Sequence, residues 1–229
     1  MKKKVAVLIF ILVFSAKAAL YLEYEVKKTL KNNKKIQFFQ KIWLGKHNFR
    51  LERKGIIIIG DYGKQEVYFL HPERKTYFKT SFFQIKEAYR LGFYFLDKWA
   101  PEEKRGVITF KIINSSKRVN GYNCKKAVLE IPAAKQRIEI FYSEDLKNDR
   151  SFLELFVDMI LPFGMIKNLE NHGIRKVYEH IPVLIKTTIE TEKGTIISEQ
   201  YLRKWKEVER DDLFSVPKGY RRVFPVDNE

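Results

Sequence analysis

Apolar and polar residues alternate along most of this chain. Leu20, Leu22, Tyr24 and Val26 occupy every second position, and Ile36, Phe38, Gln40, Ile42 and Leu44 repeat the pattern; a period of two is that of a strand with one face buried. Lys31, Asn32 and Asn33 separate the runs as a turn, so the two read as an antiparallel pair. His47, Phe49 and Leu51 continue the alternation after Gly45, and four isoleucines at 56–59 make a short apolar strand ending at Gly60. Residues 67–70 and 76–78 flank His71-Pro72-Glu73-Arg74, whose proline suits the first corner of a turn. Strands then follow at 107–113, 124–131 and 137–142, with 132–135 turning the last two. Residues 182–191 and 195–208 form a closing hairpin across 192–194. A meander is the simplest way to join them.

Helical period enters twice. Ser81-Phe82-Phe83-Gln84 matches a capping box, in which the serine and the glutamine three residues on satisfy the first free backbone N–H groups. After it Phe82, Ile85, Tyr89, Phe93 and Leu96 share one helical stripe. Ser151-Phe152-Leu153-Glu154 is a second capping box, and Phe152, Leu155, Phe156, Met159 and Ile160 repeat at i, i+3, i+4, i+7 and i+8 until Pro162. Each stripe predicts a helix that buries one face. The pattern therefore predicts a mainly β or α+β chain of about ten or eleven strands and two principal helices. A curved antiparallel half-barrel with the helices covering its concave face buries the sheet and both stripes together.

The first residues bear on the compartment. Lys2, Lys3 and Lys4 precede an apolar run over 5–14, and Ala16-Lys17-Ala18 is a small-x-small cleavage site, the signature of a cleavable signal peptide at 1–18. Ten apolar residues fall short of the roughly 20 that cross a bilayer. With no cysteine after the run, no lipid anchor is expected. Residues 19–229 then form a single domain in the bacterial periplasm or outside the cell.

Lys and Arg number 44 against 28 Asp and Glu, a formal charge of +16. Export excludes nucleic acid as the partner this basicity would otherwise suggest, and leaves anionic membrane surfaces. Plentiful Lys and Glu also fit the solvated surface of a thermophile protein. The run Lys27-Lys28, Lys31, Lys34-Lys35 reads as a solvated hairpin, with a membrane-facing patch as the alternative. Cys124 is the lone cysteine, so no intramolecular disulfide forms, and on an alternating strand it reads as buried.

No catalytic or cofactor motif is present. His47, His71, His172 and His180 show no metal-ligand spacing, and there is no nucleophile elbow or P-loop. Glu102-Glu103 and Asp211-Asp212 are adjacent acids of the kind that are solvated in loops, and His180 reads as a solvent-facing strand residue. Gly121-Tyr122 and Gly219-Tyr220 read as positive-φ turns followed by a packing aromatic. No enzyme, metal or cofactor is expected.

Val119-Asn120-Gly121-Tyr122-Asn123-Cys124-Lys125, Tyr142-Ser143-Glu144-Asp145-Leu146 and Leu213-Phe214-Ser215-Val216-Pro217-Lys218-Gly219-Tyr220, together with Tyr77 after a His-Pro turn, resemble a family of uncharacterised exported bacterial proteins. That family is similar to the outer-membrane lipoprotein carrier (LolA/LolB-like) superfamily. The resemblance implies an unclosed antiparallel half-barrel whose apolar concave face accepts acyl chains, with no catalytic residues. The apolar positions that would line such a cavity are Phe38, Ile42, Phe49, Leu51, Phe82, Tyr89, Phe93, Phe152, Phe156 and Met159. An arginine that closes the ligand route in some carriers has Arg50, Arg53 and Arg90 as candidates. Two functions stay open: a periplasmic protein that shields a lipid or an acylated protein, and an envelope interaction module whose core is filled by its own helices.

The leader generates the first prediction. N-terminal sequencing of protein from the periplasmic fraction should begin at, or within a residue or two of, Ala19. Uncleaved chain in the membrane would overturn the export reading.

Overall fold

The computed structural model describes residues 18–105, 107–147, 177, 179–210 and 212–224. Residues 1–17 of the signal peptide predicted at 1–18, and the second predicted helix with Phe152, Phe156 and Met159, lie outside the described residues. The eleven alternating runs are all strands. They are β1 (Ala18–Thr29), β2 (Lys35–Leu44), β3 (Asn48–Arg53), β4 (Ile56–Asp61), β5 (Glu66–His71), β6 (Thr76–Ser81), β7 (Thr109–Val119), β8 (Tyr122–Ile131), β9 (Gln136–Lys147), β10 (His180–Thr191) and β11 (Gly194–Glu209). A twelfth, β12 (Arg221–Arg222), exceeds the expected count and pairs parallel with β6. Among the described residues these make one open sheet in the order β12-β6-β5-β4-β3-β2-β1-β11-β10-β9-β8-β7. It is a mixed sheet rather than a purely antiparallel one, because the two-residue β12 lies alongside β6.

Register sets the two faces apart. Leu20, Leu44, Phe49, Gly60 and Val67 stand opposite one another across five strands, and Leu22, Ile42, Leu51, Ile58, Phe69 and Phe78 form the next row. On the other side of β1, Ile185, Ile140 and Ala127 form a row, and Thr187, Ile138 and Leu129 the next. This inner face carries most of the buried core. The outer face carries cross-strand ion pairs, Lys204 with Glu23 at 3.5 Å and Lys79 with Glu66, Lys126 with Glu139 and Arg137 with Glu130, and along β3 Arg50 pairs with Glu52 at 2.7 Å. Exposed pairs contribute about 0.2–1 kcal/mol each. Their structural effect is that a basic chain can carry closely spaced cations on a sheet without repulsion across strands.

At the centre of the outer face β11 carries a bulge. Glu23 faces Lys204 but Tyr24 faces Leu202, so Arg203 is the extra residue. A bulge re-aims the side chain it inserts, and Arg203 donates from Nε at 2.8 Å and from Nη2 to the buried carboxylate of Glu25. Hydrogen bonding from Arg203 holds the Glu25 carboxyl below the usual carboxylate range, while burial opposes that shift. On the inner face the Tyr24 hydroxyl donates to the Pro182 carbonyl at 2.8 Å and ties β1 to β10 across β11.

The helix α1 (Phe82–Trp99) starts at the predicted capping box. Gln84 N–H donates to Ser81 Oγ at 3.1 Å, and Ser81 N–H donates to Gln84 Oε1 at 3.1 Å. Phe82, 1% exposed, packs edge-on to Phe49 and stacks on Tyr62 at 4.7 Å. The helix reaches the Pro132–Ala134 turn between β8 and β9. That contact requires curvature. α1 has 18 residues and spans about 27 Å, whereas β6 and β9, eight strands apart, would be about 38 Å apart in a flat sheet.

Among its described side chains, the stripe of α1 is buried only at its start. Phe82 is enclosed and Ile85 is half-buried, but Tyr89 is 42% and Leu96 50% exposed. The helix meets the sheet at its first turn and bridges from there to the β8–β9 turn, so the later residues of the stripe are not pressed onto strands. His180 also departs from expectation: it is buried, with its ring 5.6 Å from that of Tyr142, because the first half of β10 is buried on both faces. Gly121 and Gly219 have φ of +88° and +87°, as their turns predict.

Gly60 is required for a different reason. A Cβ there would lie 2.1 Å from the ring of its cross-strand partner Phe49, which is wholly buried. Gly60→Ala should cost about 1–3 kcal/mol in chemical denaturation. Gly92→Ala, at an exposed helical position with nothing within 4 Å of the added carbon, should instead stabilise by about 0.5–1 kcal/mol. A neutral Gly60→Ala would remove the close Phe49 contact from the account.

Candidate functional site

The two ends of the inner face differ. At the end bearing the β2–β3 and β4–β5 turns, Phe49 and Phe82 close the space with Tyr62, and Ile42, at 4% exposure, backs them. Toward the other end the rows continue through Leu51, then Val26 opposite Phe38, then Ile36. Leu51, Phe38 and Ile36 are half-buried rather than enclosed. Above Phe38 stand two cations, Lys54 Nζ at 4.8 Å and the Arg53 guanidinium at 5.8 Å from the ring centre.

This apolar lane runs toward a cleft of about 680 Å³ between the C-terminal part of α1 and the hairpin tips β1–β2, β8–β9 and β10–β11. Its walls include Leu30, Leu96, Ala133, Ala134, Ile189 and Ile196. Ile189 and Ile196 are cross-strand partners, and the Glu190 N–H donates to the Lys135 carbonyl at 3.0 Å, which joins two of the tips. Concave sites of about 300–1,000 Å³ lined mainly by apolar side chains are where small hydrophobic molecules bind.

The residues predicted to line a cavity therefore separate. Ile42, Phe49 and Phe82 belong to the packed end, Leu51 and Phe38 lie along the lane, and Tyr89 is on the half-exposed part of α1. Phe93 lies on α1, and Phe152, Phe156 and Met159 are outside the described residues. None of the described ones lines the cleft, whose walls come from positions beside turns. The signal that could have found Leu30, Ile189 and Ile196 is an apolar residue kept within three positions of a turn, where a polar one costs nothing.

A larger hollow of about 710 Å³ lies on the outer face beside Trp43. It is lined by charged groups that satisfy one another: Arg50 pairs with Glu52 and donates to the Leu213 carbonyl at 3.2 Å, and Arg210 pairs with Asp212 at 2.6 Å. Such walls favour water over an apolar guest. Of the three candidate arginines, Arg50 is thus on the outer face and Arg90 pairs with Glu87 on α1 at 2.7 Å, which leaves Arg53 beside the lane.

Lys31, Lys135, Glu190, Glu192 and Lys193 also line the cleft, so its rim is charged although its walls are apolar. Among the described residues no three His, Cys, Asp or Glu side chains cluster as a metal site. Cys124 is 1% exposed, its Sγ donates to the Tyr122 carbonyl at 3.6 Å, and burial pushes its thiol up to about 11; a thiol held that high is not a nucleophile at neutral pH. Among the described residues no helix is long and apolar enough to cross a membrane.

No protein-family model matches the chain, and no curated protein matches it. Among solved structures it is similar to PNGF-II in two crystal forms, at 17% and 16% identity and TM-score 0.42, over 90% of this chain and 31% of that one. The chain thus spans about a third of the length of PNGF-II. It is also similar to a LolA superfamily protein from Nitrosomonas europaea, at 10% identity and TM-score 0.36 over 87% of this chain and 90% of that one. A DUF1329 family protein from Desulfovibrio piger aligns at 8% identity and TM-score 0.33 over 89% and 91% of the two chains.

Proposed function

We propose that the protein is a non-enzymatic binder of a hydrophobic ligand, a lipid or the acyl chain of a lipoprotein, in the bacterial cell envelope. The observation that carries this reading is the cleft of about 680 Å³ beside Leu30, Leu96, Ile189 and Ile196, on the same face of the sheet as the half-buried apolar lane of Leu51, Phe38 and Ile36. A chain laid along it would remove its own surface and that of the lane from water, at about 25 cal/mol per Å². Arg53 and Lys54 stand where the lane passes Phe38, within reach of an anionic head group. The cleavable signal peptide expected at 1–18 supports a periplasmic site for this binding.

The enclosed packing of Ile42, Phe49 and Phe82 favours a second reading, in which the half-barrel is filled by its own side chains and serves as an interaction module. A titration with a fluorescent fatty acid separates the two. Ile196→Glu puts a carboxylate on the cleft wall at a half-buried site and should weaken the probe at least about tenfold, equivalent to about 1.4 kcal/mol. Its denaturation midpoint should stay near that of the wild type. No probe binding by the wild type, together with no lipid in native mass spectra of the purified protein, would favour the filled module.

A further inference from the structure

We propose that the cleft-bearing end of the half-barrel docks on an anionic phospholipid surface. Five hairpin turns meet at this end, at 30–34, 54–55, 72–75, 132–135 and 192–193, and they carry seven basic residues against two acidic ones. The turns abut as a rim. A Cβ at Gly194 would lie 3.2 Å from the Lys31 carbonyl, Lys135 accepts from Glu190, and Lys54 and Pro72 line one hollow.

Two features mark this rim off from the rest of the basic surface. Several cations on the outer face of the sheet are paired with carboxylates, whereas among the described residues Lys31, Lys54, Lys75, Lys135 and Lys193, gathered on one rim, pair with none and are exposed. Lys54, Lys75 and Lys135 also sit at φ of +42°, +49° and +48°. Glycine or asparagine is favoured in that left-handed region, and a lysine there is strained. At the opposite end the corresponding positions are Gln65 and Asn120, and Lys64 is paired with Asp61 at 3.2 Å. Three strained, unpaired cations on one edge are costly to folding, and a partner that uses their charge accounts for them.

The same end presents aromatic side chains. Tyr94, Phe95 and Trp99, close to where α1 reaches the Pro132–Ala134 turn, are 57%, 49% and 84% exposed. Aromatic rings beside lysines are what a lipid–water interface takes up, with rings at head-group depth and cations on the phosphates. A nucleic acid would use the charge and leave the apolar mouth of the cleft in water. The inference rests on the hydrophobic-ligand reading for its purpose, since docking brings the cleft to the membrane. Its test does not, because vesicle binding is read without a ligand and the fatty-acid titration without vesicles.

The experiment is co-sedimentation of the purified protein with vesicles of phosphatidylcholine and of a phosphatidylcholine–phosphatidylglycerol mixture. Binding should be confined to the mixture and lost on adding salt. The variant Lys54→Gly/Lys75→Gly/Lys135→Gly removes three charges and relaxes three strained turns. Its partition onto the mixture should fall on the order of a hundredfold, with a thermal midpoint equal to or above that of the wild type. Trp99→Phe should lessen the blue shift of tryptophan emission on vesicle addition. Equal binding to both vesicles, unchanged partition of the triple variant, or retention on duplex DNA at salt that releases the vesicles would each overturn the proposal.

Discussion

A sheet that is apolar on one face across most of its width must cover that face, and the curl that does so here is fixed by the reach of one helix. α1 leaves β6 at the capping box and touches the β8–β9 turn, a distance its 18 residues span only if the intervening strands bend toward each other. The bend brings the rows through Leu44 and Phe49 and the rows through Ile138 and Ile140 into one core. It leaves the two edges, β12 and β7, unjoined. Because closure is incomplete, the inner face has an opening.

Charge is arranged around the same geometry. On the outer face the strands set Lys and Arg opposite Glu, so the sheet's cations are largely neutralised where they stand. Part of the excess that makes the chain basic stands instead on the hairpin tips of one end, seven basic residues against two acidic ones, where cross-strand partners are lacking. A composition of +16 describes neither region. The sum hides a balanced face and a positive rim, and only the rim projects a field beyond the few ångströms over which paired charges cancel.

Most of the fold was legible as period. Alternation placed eleven strands because one-sided burial imposes a repeat of two, and the Ser81–Gln84 box placed the start of α1 because its chemistry is local. β12 was not legible: two arginines in parallel pairing leave no period. The burial of His180 was hidden because it depends on β10 being covered on both faces, a property of the tertiary fold. The cleft was hidden for the same reason, since Leu30, Leu96, Ala133 and Ile189 meet only through the sheet order and the reach of the helix. Pattern identified the apolar residues of Ile42, Phe49 and Leu51 correctly as inward-facing, yet could not say which end of the inner face is packed.

That last distinction is a matter of volume. At the packed end aromatic rings meet in stacked and edge-on pairs, and Gly60 yields its own side-chain space to Phe49, so residues from β3, β4 and α1 fill the interior. At the open end the inward positions carry Leu30, Ile189 and Ile196, the helix offers Leu96, and the opposing turn supplies two alanines. Smaller side chains on a wider mouth leave a cleft where larger ones on a narrow end leave none. The helix that fixes the curvature leaves the sheet at the packed end and lands on the β8–β9 turn at the mouth, where the tips hold lysines in turns that favour glycine. The difference is confined to one side of the sheet, because Leu129, Ile131 and Ile138, next to the β8–β9 turn, are core residues although they lie at the open end.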